Sequence, residues 1–140
     1  MAKGDRIKYR SGVKYWLAED YSVQTRITGQ YVYNDFGHLF EDGTLFIRAG
    51  YAWDGASGPT FDTLNSMRGS LVHDFFYDLM RRGLLSQEWR QAADEELREI
   101  LLEDGMSEAR ADAWFTFVRM CAAPCSAVGN DGGKPLCTAP

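Results

Sequence analysis

The chain has few of the features that would place it directly in a specialised class of protein, and its scarce cysteines are the first example. Only three of its 140 residues are cysteines, and Cys121, Cys125 and Cys137 all lie near the C-terminal end. An odd number of cysteines in so short a stretch is not a disulfide framework. A zinc site would need four ligands, and no histidine lies near them. We therefore expect three free thiols, with a bridge from Cys137 to Cys121 or Cys125 as the alternative.

An excess of basic charge and a long apolar run are also missing. The formal net charge is -5, from 15 Lys and Arg against 20 Asp and Glu. Phosphate contacts need a basic field, so we expect no nucleic-acid partner. No apolar run approaches the roughly 18 residues that span a bilayer, and the first ten residues lack the apolar stretch of a signal peptide. We expect no membrane span and a cytoplasmic location, or export within an assembling particle.

Short segments of period two fill residues 6–50 and predict strands. They are rich in Tyr, Val and Ile, and Gly or charged pairs separate them. The segment HLFEDGTLFIRAG reads as a hairpin, because Asp42-Gly43 is a favoured turn pair and Leu45 and Ile47 alternate with Phe46. The N-terminal half is therefore predicted to form a small antiparallel sheet.

From about Ser66 the apolar residues recur with a helical period, and three helices are predicted. Ser86 and Ser107 are candidate caps of the second and third helices, and Pro124 is the predicted end of the third. Strands followed by helices predict an α+β fold in which about three helices pack against the sheet. We expect one domain over residues 1–125 and a flexible or extended tail over residues 126–140.

Two stretches, YAWDGASGPT (51–60) and HDFFYD (73–78), carry the residues most suited to chemistry. His73 and Tyr77 lie one helical turn apart and share a face. If the preceding loop folds back, Asp54 approaches His73 or Asp74, and Asp94 on the next helix is a possible further member. Imidazole and carboxylate groups bind zinc, manganese or iron, and they also serve general acid–base catalysis.

A purely structural interpretation stays open for the same residues. Asp54 and Ser57 could cap backbone N–H groups in a corner that also contains Gly55 and Pro59. His73 could be a partly buried histidine bonded to a carbonyl group. Asp94 has an arginine one turn away on each side, at positions 90 and 98, and could be a pair on the helix surface.

The order LFIRAGYAWDGASGP, RGSLVHDFFYDLM and QAADEELREILLEDGMSEARADAWFTFVRM resembles the phage and prophage family catalogued as domain of unknown function 1353. The resemblance covers roughly residues 15–120, and its specific part is the middle two segments. Trp53 departs from the small residue expected there, and the cysteine-bearing tail is this chain's own. The family positions fall on these residues: Asp54, Ser57, Pro59, His73, Asp74, Tyr77, Asp94 and Arg119.

The resemblance implies a viral or prophage gene of a kind that often lies near tail and lysis genes, and a location in the host cytoplasm or the virion. Two functions remain open. The first is a metal-dependent hydrolase acting late in infection on a wall or nucleotide substrate. His73, Asp74, Asp54 and Tyr77 would be catalytic, and Asp54, His73, Asp74 and Asp94 would hold zinc or manganese.

The second function is a non-enzymatic, virion- or tail-associated interaction protein that binds other phage proteins. Its contacts would come from the aromatic face of the sheet, formed by Tyr15, Trp16, Tyr31 and Tyr33, and from the C-terminal tail, since exposed aromatic side chains are common anchors of interfaces. Such rings are more often simply part of a core. The oligomeric state is left open by the sequence.

Overall fold

A computed structural model of the chain describes residues 9–10, 15–53 and 64–128. Short antiparallel strands fill the N-terminal part and helices fill the C-terminal part, so the predicted α+β class is confirmed. The strands are β1 (Tyr9–Arg10), β2 (Tyr15–Leu17), β3 (Tyr21–Gln24), β4 (Val32–Asn34), β5 (Gly37–Leu39), β6 (Thr44–Ile47) and β7 (Ala52–Trp53). The helices are α1 (Met67–Arg81), α2 (Arg90–Glu103), α3 (Glu108–Cys121) and the single turn α4 (Ala123–Ser126).

The chain divides into two compact units, Met1–Gly55 and Ala56–Pro140. The first unit contains two sheets where the sequence predicted one. β2 pairs with β1 and β7 in a three-stranded sheet, and the order β3-β6-β5-β4 forms a four-stranded sheet. Leu17, the last residue of β2, pairs with Tyr9 and also bonds to Gly50 and Tyr51 just before β7. The chain then enters the second sheet at Tyr21. Period-two patterning identifies strands but does not say which strands pair.

The predicted hairpin joins β5 to β6, with Leu39 opposite Leu45 and Gly37 opposite Ile47. Gly43 in its turn has a φ of +91°, a left-handed conformation that glycine adopts without steric cost. A Cβ at this position would overlap the carbonyl oxygen of Thr25. That carbonyl is so close because the Thr25 N–H and hydroxyl both donate to the Gly43 carbonyl, at 2.9 and 2.7 Å.

The predicted serine caps are confirmed, and a glycine with positive φ follows each of the first two long helices. The Ser86 side chain accepts a hydrogen bond from the Glu88 N–H, and a single 3-10 turn (Gln87–Trp89) leads into α2. The Ser107 side chain accepts from the Arg110 N–H at the start of α3. Gly83 and Gly105 follow α1 and α2 with positive φ, which ends each helix.

The three long helices run antiparallel in sequence order. Arg68 near the start of α1 is 3% exposed and pairs with Glu103 and Asp104 at the end of α2, at 2.7 and 3.1 Å. Arg90 at the start of α2 reaches the last carbonyls of α3. Between these ends the helices bury an apolar core formed by Leu97, Leu101, Met106, Ala111, Trp114 and Val118.

The predicted end of the last helix at Pro124 was wrong in detail. α3 ends at Cys121, and Pro124 lies inside the next short helix, α4. Proline is tolerated in a first helical turn, where its missing N–H would have no partner in the helix. Ser126 is buried, and its carbonyl accepts a hydrogen bond from Gln87. The described residues end at 128, so most of the predicted tail over residues 126–140 lies outside them.

Among the described residues, none of the helices combines the length and the apolar character needed to cross a bilayer.

The two turn glycines Gly43 and Gly29 provide a matched pair for testing the turn. Both have positive φ, but a Cβ at Gly29 would meet nothing within 4 Å. We expect Gly29→Ala to cost about 1–2 kcal/mol through the backbone conformation alone. We expect Gly43→Ala to cost about 1–3 kcal/mol more, because the Thr25 carbonyl must move. Urea unfolding, monitored by far-UV circular dichroism, measures the free energy of unfolding of both variants. Equal losses would contradict the overlap of a Cβ at position 43 with the Thr25 carbonyl.

Candidate functional site

The candidate site in the helical unit is centred on the carboxylate of Asp94, which is fully buried on α2. Its Oδ1 accepts hydrogen bonds from His73 Nε2 at 2.6 Å and from the Tyr77 hydroxyl at 2.7 Å. Its Oδ2 accepts from Arg119 Nη1 at 2.7 Å. His73 and Tyr77 lie one turn apart on α1 and Arg119 lies on α3, so one side chain joins three helices. With Arg90, which binds Tyr77, these residues form what we call the Asp94 cluster.

Arg90 extends the cluster at the start of α2. Its Nε donates to the Tyr77 hydroxyl at 3.0 Å, and its Nη2 donates to the carbonyls of Val118 and Arg119 at 2.7 and 2.9 Å. Carbonyls in the last turn of a helix lack partners within the helix and carry partial negative charge. Arg90 therefore supplies donors to the end of α3 and also fixes the tyrosine that donates to Asp94.

The electrostatics keep Asp94 ionised and Tyr77 protonated. Burial alone would raise the pKa of Asp94, but the hydrogen bond and charge of His73, with the donors Tyr77 and Arg119, hold it below the ordinary value. Burial and the Asp94 carboxylate together raise the pKa of Tyr77 well above its ordinary value. The tyrosine is therefore a neutral donor and the aspartate a permanent acceptor across the neutral pH range.

This geometry suits a structural junction better than a metal ligand. Both Asp94 oxygens already accept short hydrogen bonds, and two guanidinium groups lie within 4.0 Å of Oδ2. A cation binding there would have to displace a donor and approach positive charge. Among the described residues, no three His, Cys, Asp or Glu side chains form a group that could hold a metal ion. His73, Asp74 and Asp94 do not form such a group among these residues, and a metal site that also includes Asp54 stays a prediction.

The other predicted site residues cannot be assigned to this cluster. Asp54, Gly55, Ser57 and Pro59 lie outside the described residues, and so do the side chains of the three cysteines. The approach of Asp54 to His73 thus stays a prediction. The structure brings together His73, Tyr77, Asp94 and Arg119, four of the eight positions that the family resemblance selected.

Two interpretations of individual residues were wrong. Asp94 does not lie on the helix surface, because its side chain is buried. Arg90 does lie 4.0 Å from it, but Arg98 pairs instead with Asp112 at 2.5 Å. Tyr77 is 2% exposed, and α2 supplies its hydrogen-bond partners Asp94 and Arg90. The partner of His73 is the Asp94 carboxylate rather than a carbonyl. A helical wheel cannot predict such contacts between helices.

A second candidate surface is the outward face of the four-stranded sheet, which carries a row of aromatic rings. Cross-strand pairing places Ser22 opposite Phe46, Phe46 opposite His38, and His38 opposite Tyr33. The next row contains Gln24, Thr44 and Phe40, with Tyr31 directly before β4. We call the rings of Tyr31, Tyr33, His38, Phe40 and Phe46 the aromatic ladder.

The rings of the aromatic ladder form an ordered stack. His38 lies between Tyr33 and Phe40, with centroid distances of 5.3 and 5.5 Å and interplanar angles of 18° and 14°. Tyr31 is inclined to this stack at 59–65° and lies 5.9 Å from Phe40 and 6.3 Å from Tyr33. Tyr31 and Tyr33 remain 56% and 59% exposed. Such rings offer a large and rigid contact area.

The aromatic ladder lies on a surface without formal charge. None of the eight outward positions in the two rows is Asp, Glu, Lys or Arg. Charged residues begin only beyond the rows, with Asp20, Arg26 and Arg48 on the β3–β6 side and Asp35, Glu41 and Asp42 in the hairpin turns. The centre of this face is therefore apolar and neutral, and its rim is polar, which is the usual anatomy of a protein interface.

Only part of this surface was predicted. Tyr31 and Tyr33 belong to it, but Tyr15 and Trp16 lie on the other sheet, where Tyr15 contacts Trp53. His38, Phe40 and Phe46 were not selected, although their alternation with buried Leu39 and Leu45 could have indicated an exposed row. Only the pairing of β4, β5 and β6 places these three side chains on one face with Tyr31 and Tyr33. Alternation within a single strand does not indicate that pairing.

Comparison of the chain with protein-family models, curated proteins and solved structures returned no match.

We expect Asp94→Asn to lower the free energy of unfolding by about 3–5 kcal/mol, because it removes one partner of a buried ion pair. Asp112→Asn is the matched control, since it also removes a carboxylate that pairs two helices, but Asp112 is 53% exposed. The Asp112→Asn variant should lose less than about 1 kcal/mol of its free energy of unfolding. Urea unfolding of both variants measures the difference, and similar losses would contradict the assignment of Asp94 as a buried, paired carboxylate.

The lowered pKa of Asp94 also predicts how stability depends on pH. The unfolded carboxyl has a pKa near 3.8, and the folded one lies below it, so the stabilisation is present above about pH 4. It is lost as the pH falls through the folded pKa. The stability difference between wild type and Asp94→Asn should therefore narrow from pH 5 towards pH 2. A difference that stays constant or widens in urea titrations over that range would contradict this assignment.

Proposed function

We propose that the chain is a non-enzymatic interaction protein of a bacteriophage or prophage, associated with the virion or its tail. In this proposal the aromatic ladder contacts another phage protein, and the helical unit is a scaffold stabilised by the Asp94 cluster. The observation that carries the proposal is the exposure of Tyr31 and Tyr33, 56% and 59%, on a surface without formal charge. The assignment to a phage rests on the family resemblance of the middle segments.

The aromatic ladder favours binding over packing within the chain. Tyr31, Tyr33 and Phe40 are exposed and adjoin one another, so they form one contiguous group of rings. A contiguous apolar patch with a polar rim is typical of an interaction site. Tyrosine also loses little conformational freedom on binding, because it has only two side-chain torsions.

The alternative, a metal-dependent hydrolase with His73, Asp74, Asp54 and Tyr77 at its centre, receives less support from the described residues. Asp94, its fourth proposed ligand, already accepts hydrogen bonds at both oxygens. Without Asp94, a hydrolase would have to bind its metal ion through Asp54, Asp74 and His73. Zinc or manganese bound in near-equal amount to purified protein, and lost from His73→Ala and Asp54→Ala, would favour this alternative.

The interaction proposal predicts that particle association depends on the ladder. Purified particles of the encoding phage, or of the induced prophage, should carry the wild-type chain through a density gradient. The double variant Tyr31→Ala/Tyr33→Ala should remain in the free fraction, because two interface anchors are lost. Ser22→Ala, on the same face but on the opposite edge strand, is the control and should associate like wild type.

Two results would contradict the interaction proposal. One is equal association of the wild type and the double variant, which would show that the ladder is not the contact. The other is absence of the wild-type chain from particles purified at low and at moderate salt. Far-UV circular dichroism of each variant shows whether a loss of association reflects a loss of folding.

A further inference from the structure

We infer that the β4 edge of the four-stranded sheet pairs with the same edge of a second copy of this chain. The two β4 strands would lie antiparallel about a two-fold axis at Val32, so the sheet would continue from one copy into the other. This inference concerns the edge of the sheet and does not depend on the proposed function. Three observations carry it: the direction of the backbone groups, the absence of charge along the strand and the partial burial of Val32.

The hydrogen bonds of the hairpin determine which backbone groups of β5 face β4. Opposite residues in an antiparallel pair alternately form and do not form hydrogen bonds with each other. The Phe40 N–H donates to the Thr44 carbonyl at 2.9 Å, so His38, two residues earlier, also bonds to β6. Leu39 lies between Phe40 and His38, and its N–H and carbonyl therefore point to β4.

The backbone groups of β4 then alternate between β5 and the edge of the sheet. Leu39 is opposite Val32, so the N–H and carbonyl of Val32 point to β5. Those of Tyr33, and of Tyr31 directly before β4, point away from the sheet. Among the described residues no strand pairs with β4 on that side. A row of such N–H and carbonyl groups is a template for another strand, so the edge specifies a strand as its partner.

The β4 edge lacks the features that usually prevent strands from pairing between molecules. Charged side chains and proline commonly protect edge strands, but residues 30–34 are Gln, Tyr, Val, Tyr and Asn. The opposite edge strand, β3, is bordered by Asp20 and Arg26. β4 is therefore the edge of this sheet that a second copy can approach without facing like charges.

A register centred on Val32 makes the β4 edge complementary to itself. In this register Tyr31 lies opposite Tyr33 of the second copy, and Tyr33 lies opposite Tyr31. Both residues direct their backbone groups outward, so each opposite pair can exchange two hydrogen bonds. The tyrosine side chains of each pair lie on the same face, and aromatic cross-strand pairs stabilise antiparallel strands.

The residues at the ends of this register are also compatible. Gln30 lies opposite Asn34 of the second copy, and Asp35 lies opposite Gly29, so no like charges face each other. A register centred one residue later would instead place the apolar Val32 opposite the polar Asn34. The centre at Val32 is therefore the better match.

The burial of the inner residues supports the same centre. Cross-strand pairing places Val23, Leu45, Leu39 and Val32 in one row on the face opposite the aromatic ladder. The first three are at most 3% exposed, whereas Val32 at the end of the row is only partly buried. Val32 of a second copy would lie directly opposite and continue this row, which removes apolar surface of both copies from water.

The association should be weak and depend on concentration, because two short strands bury less than the roughly 1,200 Å² of a stable interface. Sedimentation velocity of the full chain should show a monomer–dimer equilibrium between micromolar and near-millimolar concentrations. Val32→Lys should weaken dimerisation at least about tenfold, because it places like charges directly opposite each other. Val32→Thr keeps a neutral β-branched side chain and should stay within about threefold of wild type.

Mixing two charged variants tests the register itself. Val32→Lys and Val32→Glu should each dimerise poorly alone, but their mixture should associate within about threefold of wild type, because opposite charges then face each other. Ser22→Lys and Ser22→Glu on β3 are the matched controls and should leave dimerisation unchanged. Far-UV circular dichroism shows whether each variant is folded.

Hydrogen exchange of the wild type provides a test that needs no variant. Exchange of the Tyr31 and Tyr33 amides should slow as the dimer fraction rises with concentration, while the Ser22 amide on the opposite edge should not change. Wild type that stays monomeric at near-millimolar concentration, or tyrosine amide exchange that ignores concentration, would overturn the inference. So would unchanged dimerisation of folded Val32→Lys, or a mixture that associates no better than either charged variant alone.

Discussion

A carboxylate removed from water has to be met by donors, and in the helical unit this requirement determines how three helices meet. Asp94 on α2 is fully buried, and its donors come from His73 and Tyr77 on α1 and from Arg119 on α3. Arg90 then supplies donors to the end of α3. Loss of the carboxylate would leave buried donors unpaired, so apolar packing alone does not account for this arrangement.

The hydrogen-bonding groups of the Asp94 cluster are already paired with one another, which distinguishes the cluster from a recognition surface. Polar side chains that are fully paired in the interior have little capacity left for a substrate or a metal ion. The aromatic ladder has the opposite character, because its tyrosines are more than half exposed and adjoin one another. His73, Tyr77 and Asp94, three of the chemically suggestive residues of the sequence, are therefore paired with one another inside the helical unit, while less distinctive aromatic residues form the candidate contact surface.

Sequence patterns predicted what depends on local structure and missed what depends on partners distant in the chain. The α+β class followed from the change of hydrophobic period along the chain. The turn at Gly43 and the caps at Ser86 and Ser107 followed from the local preferences of glycine and serine. The burial of Asp94 could not follow from its neighbours, because arginines at positions 90 and 98 suggest a surface pair and its partner Arg119 lies 25 residues away. The aromatic ladder could not be predicted from the alternation of residues along one strand, because its rings come from several paired strands.

NMR of the His73 side chain tests most directly whether the Asp94 cluster is a closed structural junction. The account predicts a slowly exchanging Nε2-bound proton in long-range ¹H–¹⁵N spectra, since Nε2 donates to a buried carboxylate at 2.6 Å. It also predicts that equimolar zinc leaves this resonance and the Asp94 carboxyl resonance unchanged. Loss of the proton together with a shift of the Asp94 carboxyl on addition of zinc would contradict the account and favour a metal centre.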